Sequence, residues 1–494
     1  MPTLHIAEYQ SFELWDIQRI LDSHNIESSH KKAQRIFQEL KDFALHEDNH
    51  TLLGFQTPSR LKAKNYVGTI QTRSGFCIEI LPKTFRSQRL ERDSKQCECK
   101  IRFEKKMLLE SFSDFSKAIV AKDSTHSTTQ ASLIESSSTE SHKNCDICQA
   151  KGVLLSCLAT LKDMPFKQRD FANIHTLHFP LLEIFVRMFL SECERLSKAG
   201  LKGDYLCIAQ NRAFLKGKLE FKDHITQNLI HKERFFTSSD EYTQDIAPNR
   251  LIKSTLLALS HLNLSPSTQT RIDSMRFVFA DISPSKNIES DFTQCSNMSR
   301  DKEYEVLLLW CKIFLGHKAF SPYAGRDRVI ALLFPMEKLF ESYVGFWLKK
   351  CANGFSVKTQ ESQKYLIQDE NKKNVFCLKP DIILRGKGEI VIIDTKWKIP
   401  DSNANENKYG ISQGDLYQMW AYASKYQLEC KDSVRVVLIY PQCEQTQELQ
   451  ESWHNKQWTF KASGLDLKSL DSKSNTPSNK ISLSLAFAPL YAIR

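Results

Sequence analysis

Apolar positions along this chain change period several times, and each change marks an element. Near the N-terminus, residues 66–70 and 76–81 cluster apolar side chains on either side of Thr72-Arg73-Ser74-Gly75. Two short apolar runs around such a turn predict strands, and hence a β-rich N-terminal module over residues 1–85. From about residue 86 to 150 the pattern dissolves into Ser, Thr, Lys and Glu, with little to bury, so this stretch predicts a polar, mobile insertion. A helical period follows. Leu182, Phe185, Val186, Phe189, Leu190 and Cys193 recur at helical spacing, with Gly200 placed as a C-terminal cap, which predicts an amphipathic helix over 180–198. Residues 205–208 and 214–221 read as short strands whose Lys216, Lys218, Lys222 and His224 form a basic edge. His224 itself reads as a structural hydrogen-bonding residue. A further helix opens at Asn249, with Leu251, Ile252, Thr255, Leu256 and Leu259 inward, leaving Arg250 and Lys253 for DNA or a partner subunit. Residues 151–330 are thus expected to form a mainly helical middle domain.

The last third changes again. Pro335 is placed to start a helix over 335–349. Ile382-Ile383-Leu384 and Ile390-Val391-Ile392-Ile393 are β-branched runs separated by Gly386-Lys387-Gly388, whose glycines allow the left-handed conformations of a tight reversal, so the segment predicts a β-hairpin. A polar loop over 398–411, a helical pattern carrying Gln418 and Tyr422, and an apolar strand over 434–440 suited to a sheet centre complete an α-β-β-β-α-β core within residues 331–494.

Composition refines this picture. A chain of 494 residues accommodates about three domains. Its net charge of +10 and pI near 8.8 favour an anionic partner such as nucleic acid. The first residues lack the basic-then-apolar pattern of a signal peptide, and the apolar stretch at 179–190 is interrupted by Glu183 and Arg187, so a soluble cytoplasmic protein with no membrane partner is expected. Most of the fourteen cysteines are single and lie in apolar runs, which suits reduced core thiols better than a secreted disulfide framework. Cys97, Cys99, Cys145 and Cys148 could supply four zinc thiolates, but one residue in the first pair and a long polar gap fit such a site poorly.

The hairpin carries the candidate chemistry. Side chains alternate faces along a strand, so Asp394 and Lys396 point the same way, with Asp381 entering the first strand beside them. Asp394 ends an unbroken apolar run, where a carboxylate is costly unless it is paired or binds metal. Two carboxylates suit Mg²⁺, a hard cation that keeps several waters and accepts phosphate oxygens. Asp381 and Asp394 are therefore expected as metal ligands, the Thr395 carbonyl as a further one, and Lys396 as the group that activates water or offsets phosphorane charge. Gln418 and Tyr422, four apart on one helix face, are expected to position backbone phosphate or the nucleophile. Glu337 and Glu341 likewise share a helix face.

Pro380-Asp381, Asp394-Thr395-Lys396 and Gln418-x-x-x-Tyr422 resemble the PD-(D/E)xK nuclease signature with the extension found in RecB-like nucleases. Four further stretches, at residues 78–83, 215–219 with His224, 249–253 and 334–341, narrow the resemblance to the McrC family, the nuclease subunit of McrBC-type restriction systems. The resemblance implies an α+β multidomain chain ending in a restriction-endonuclease-like α/β domain with a mixed sheet. It selects Glu341 as an additional metal ligand and makes residues 1–85 the contact for a McrB-like AAA+ GTPase hexamer that binds the GTP. It also implies DNA containing 5-methylcytosine as the substrate. A stand-alone RecB-like repair or recombination nuclease is the competing reading, and a non-catalytic DNA-binding or assembly subunit is the next.

Overall fold

The computed structural model describes residues 2–47, 49–84, 105–120, 146–162, 164–166, 179–297, 302–315, 330–370, 373–386, 388–400, 411–429, 433–443, 446, 458–460 and 481–490. They form two compact units, one built chiefly of residues 182–332, the other of residues 2–162, 166–181 and 333–494.

The larger unit is centred on a mixed six-stranded sheet. Its strands lie in the order Ser356–Thr359, Ile382–Gly386, Glu389–Thr395, Ser433–Pro441, Ile481–Ala488 and Trp458–Phe460. The hairpin forms as expected, pairing Gly386 with Glu389 and Ile382 with Ile393. Glycine is required at both turn positions. Gly388 adopts φ +68°, and a Cβ on Gly386 would lie 2.6 Å from the Gly354 carbonyl oxygen. Strand Ser433–Pro441 runs parallel to both neighbours and is fully buried from Val436 to Tyr440, which is why it reads as a continuous apolar run. Arg435 within it is neutralised by Glu389 at 3.2 Å. Helices cover both faces. Helix Gln413–Glu429 packs Met419, Tyr422, Ala423 and Tyr426 onto the face carrying Ile383, Ile390 and Ile392. Helix Met336–Cys351 approaches the opposite face, where a Cβ on Gly345 would meet the Ile382 side chain.

The same unit holds a second sheet with Thr3–Ala7, Cys77–Leu81 and Tyr66–Gln71 in that order. A small sheet of Ser11–Glu13, Arg60–Ala63 and Leu53–Thr57 stands beside two helices, Leu14–Ser23 and Ser29–Leu45. The β-rich expectation for residues 1–85 missed these helices, because their inward residues, such as Ile36, Phe37 and Leu40, are diluted by charged neighbours. Glu79 is fully buried. It accepts a hydrogen bond from the Leu181 N–H at 2.6 Å and meets Lys151 at 2.9 Å and His5 at 3.1 Å. Burial alone would raise its carboxyl, but Lys151 and His5 outweigh that and hold it down at about 2.

The expectation of a mobile insertion over 86–150 needs correction. Helix Lys105–Val120 lies inside it and stacks Phe112 on Trp347, centroids 5.3 Å apart, with Ser116 donating to the Cys351 carbonyl at 3.1 Å. Helix Asp146–Leu158 also begins there and buries Cys148; Cys97, Cys99 and Cys145 lie outside the described residues.

The smaller unit contains helices Ala247–Ser260, Pro266–Val278, Ile288–Asn297 and Lys302–Leu315, together with most of Leu181–Ala199. Its one sheet among the described residues pairs Asp204–Arg212 and Lys218–Leu219 with Phe235–Thr243. Arg250 and Lys253 are not free for DNA or a partner, as the sequence suggested. Arg250 donates to Asp291 at 2.8 Å and to the Asp245 carbonyl at 2.9 Å, and Lys253 donates to the Phe279 carbonyl at 2.8 Å. Both brace the helices they join. His224 is structural, stacked on Phe235 with its Nδ1 3.0 Å from the Asn228 amide nitrogen. Around this sheet Tyr205, Phe214, Leu215, Phe221, Leu229 and Ile230 are all exposed. No helix among the described residues is long and apolar enough to cross a membrane.

Candidate active site

The hairpin brings Asp381, Asp394 and Lys396 together at one end of the larger sheet. Asp394, the penultimate residue of its strand, is 2% exposed. Its Oδ2 lies 2.5 Å from the Lys396 ammonium, yet has no aligned hydrogen-bond donor among the described residues. Asp381 precedes the first strand, and its Oδ2 accepts from the Thr395 N–H and Thr395 hydroxyl, both at 2.7 Å. The two carboxylates are thus set on adjacent strand ends by backbone register. Burial raises Asp394, the Asp381 charge raises it further, and Lys396 only partly offsets them, leaving it at about 6. Asp381 is also raised, by burial, against the opposing pull of its Thr395 hydrogen bonds and Lys396.

Glu341 joins them from helix Met336–Cys351. Burial and then the Asp381 charge lift its carboxyl to about 7, although a hydrogen bond from Gln360 at 2.8 Å opposes this. Gln360 was not anticipated from sequence. Its backbone takes the left-handed φ of +50° and its N–H donates to the Asp381 carbonyl at 2.8 Å, so one residue ties Glu341 to Asp381. A lone Gln in a polar stretch carries no signal of such a role. Glu337, by contrast, is exposed.

Lys396 is held from the other side. Its ammonium donates to Gln418 Oε1 at 2.9 Å; Gln418 donates to the Tyr422 hydroxyl at 2.8 Å, and Tyr422 donates to the Lys379 carbonyl at 3.1 Å. The Gln418–Tyr422 pair therefore contacts the lysine itself. Asp415, one turn before Gln418, lies 3.8 Å from Lys396 and 2.8 Å from Lys398. Burial alone would lower the Lys396 ammonium, but Asp394 and then Asp415 and Asp381 reverse that and raise it. Lys396 is thereby held as a cation.

The donor set suits a hard divalent cation. Asp381 and Asp394 stand on adjacent strand ends, Gln360 links Glu341 to Asp381, and burial raises the proton affinity of all three carboxyls. Among the described residues no three His, Cys, Asp or Glu side chains close around a common point.

Residues 61–441 match the family described as McrBC 5-methylcytosine restriction system component. The chain belongs to this family. The expectation drawn from the motifs between residues 78 and 341 therefore holds. This McrBC family member is 22% identical over 277 residues to the type IV methyl-directed restriction enzyme EcoKMcrBC of Escherichia coli (strain K12), a span of 53% of this chain and 77% of that protein. Its fold resembles a chain of the solved half-complex from the tetradecameric assembly of Thermococcus gammatolerans McrB AAA+ hexamers with bound McrC. The TM-score is 0.58 at 15% identity, over 99% of this chain and 94% of that one. The mixed α/β architecture is common to both.

Proposed function

We propose that this chain is the Mg²⁺-dependent endonuclease subunit of a 5-methylcytosine-dependent restriction complex, with a PD-(D/E)xK catalytic site that fires under a GTP-hydrolysing AAA+ partner. The observation that carries the chemistry is the pair Asp381 and Asp394 on adjacent strand ends beside a lysine held as a cation, with Glu341 tied to Asp381 through Gln360. Asp381 and Asp394 are the principal ligands, with Glu341 and the Thr395 carbonyl as additional ones. A Mg²⁺ held by these residues would supply Lewis-acid polarisation of the scissile phosphate and a more acidic water at neutral pH. Lys396 faces the same point and stabilises the negative charge that develops on the phosphoryl oxygens. Gln418 and Tyr422 fix the lysine's rotamer, which limits the conformational freedom lost on reaching the transition state.

The family match supports the restriction role, and the net charge of +10 suits a DNA substrate. The McrB hexamers of the structurally similar assembly support an AAA+ GTPase partner. The sequence resemblance assigns the partner contact to residues 1–85. The exposed apolar side chains around the Asp204–Arg212 sheet are a second surface suited to it, because monomeric surfaces rarely carry so many large apolar groups together. Cleavage of methylated plasmid is the test. The reading expects cutting only with Mg²⁺, GTP and the partner all present; cutting by this chain alone in Mg²⁺ favours the stand-alone nuclease.

A further inference from the structure

Lys396 is followed by Trp397, and Trp397 is gripped by residues from the far end of the chain. Its indole N–H donates to Glu8 Oε2 at 2.8 Å, and its backbone carbonyl accepts from the Lys83 ammonium at 2.7 Å. Glu8 and Lys83 are themselves linked. The Lys83 N–H donates to the same Glu8 oxygen at 3.1 Å, and the Glu8 N–H donates to the Leu81 carbonyl at 3.0 Å. Glu8 directly follows strand Thr3–Ala7, and Lys83 stands two residues past the parallel strand Cys77–Leu81. The Lys83 ammonium also lies over the rings of Tyr9 and Trp397, at 5.2 and 5.9 Å. Trp397 also meets Phe340, the residue before Glu341, with centroids 5.2 Å apart.

This grip is costly to build. Glu8 is 4% exposed and its Oε1 has no hydrogen-bond partner among the described residues, so the fold buries a carboxylate that is only half satisfied. An apolar residue would pack the strand end at lower cost. What the carboxylate and ammonium add is a fixed position and orientation for Trp397 at both its ring and its backbone. Lys396 has just left the sheet, and its own N–H is tied only to the Ile439 carbonyl at 2.8 Å. A displacement of about 1 Å in such a group can cost on the order of 10²-fold in rate.

We propose that Glu8 and Lys83 are positioning residues for Lys396: the N-terminal strand pair clamps Trp397 and thereby sets where the catalytic ammonium stands. This rests on the nuclease reading above. It also makes the lysine's placement depend on strands that share no hydrogen-bonded sheet with the catalytic hairpin, so movement of that strand pair shifts the lysine without disturbing Asp381 or Asp394.

The test uses the full chain with its GTPase partner, in wild type, Lys83→Met, Glu8→Leu and Glu8→Gln, after matched thermal melts confirm folding. Cleavage kinetics are read beside ¹⁹F NMR of 5-fluorotryptophan-labelled chain, with Trp397→Phe assigning the resonance. Lys83→Met and Glu8→Leu are expected to lower kcat by about 10-fold to 100-fold with KM for DNA unchanged, and to shift or broaden the Trp397 resonance. Glu8→Gln keeps an acceptor for the indole and is expected to restore most of both. A Trp397 resonance unmoved in Lys83→Met and Glu8→Leu overturns the clamp, as does a kcat equal to wild type beside a cleaving control. A wild-type complex that fails to cleave overturns the nuclease reading instead, and the positioning role with it.

Discussion

Asp394 and Glu341 bind protons more tightly in the folded chain than a free carboxyl does, at about 6 and about 7. A folded-state value raised above the unfolded one gives stability that is fully present below the unfolded value and is lost as pH rises through the folded one. Metal-free chain should therefore lose melting temperature between pH 4 and about 7, and Asp394→Asn should recover part of that loss at pH 8. Mg²⁺ competes with the same protons, so its affinity should climb over the same window. Calorimetric titration at pH 5.5 and pH 8 checks this; an affinity independent of pH removes these two groups from the site. Lys396→Met should lower kcat by on the order of 10²-fold to 10³-fold. Metal binding should survive it, since the variant keeps every carboxylate and loses a competing cation. A variant that loses metal binding and activity together would show that the lysine acts on the metal site and not on the phosphate.

Among the elements, the hairpin was legible because two β-branched runs and two glycines leave few alternatives, and a period of two then fixed Asp394 and Lys396 on one side. Helix Lys105–Val120 was not. Its inward residues Leu108 and Phe112 sit among Ser, Lys and Glu, and only contact with Trp347 and Tyr343 shows what they bury. Phe112→Ala should destabilise the larger unit by about 3–5 kcal/mol, through lost transfer energy and the cavity left beside Trp347. Denaturant titration followed by tryptophan fluorescence measures it, and a change near zero would restore the reading of this stretch as an insertion. Site legibility divides on similar lines. Asp381, Asp394, Lys396, Gln418 and Tyr422 could be named from residue type and spacing, whereas only the family resemblance chose Glu341 over Glu337. Gln360, Glu8 and Lys83 act through hydrogen bonds to segments distant in sequence, which no local period encodes. Arg250 and Lys253 show the converse: a basic pair on a helix face looks free until Asp291 and the carbonyls that accept from it are in place.

At the scale of the whole molecule, the acidic centre and the exposed apolar cluster lie in different compact units. The larger carries the acidic centre. The smaller displays apolar side chains to solvent, at 61% exposure for Phe214 and 86% for Ile230. Changing both to Ser should leave folding intact, because neither contributes core packing, and should weaken association with the GTPase partner by about tenfold or more. Unchanged affinity by interferometry returns the contact to residues 1–85. If the Asp381–Asp394–Lys396 centre cuts DNA, cleavage by Asp394→Ala in the assembled, GTP-hydrolysing complex decides the matter. Cutting should be lost with assembly and GTP turnover retained, since the substitution removes a ligand without opening an apolar cavity. Mg²⁺-dependent cutting that persists in Asp394→Ala would contradict it.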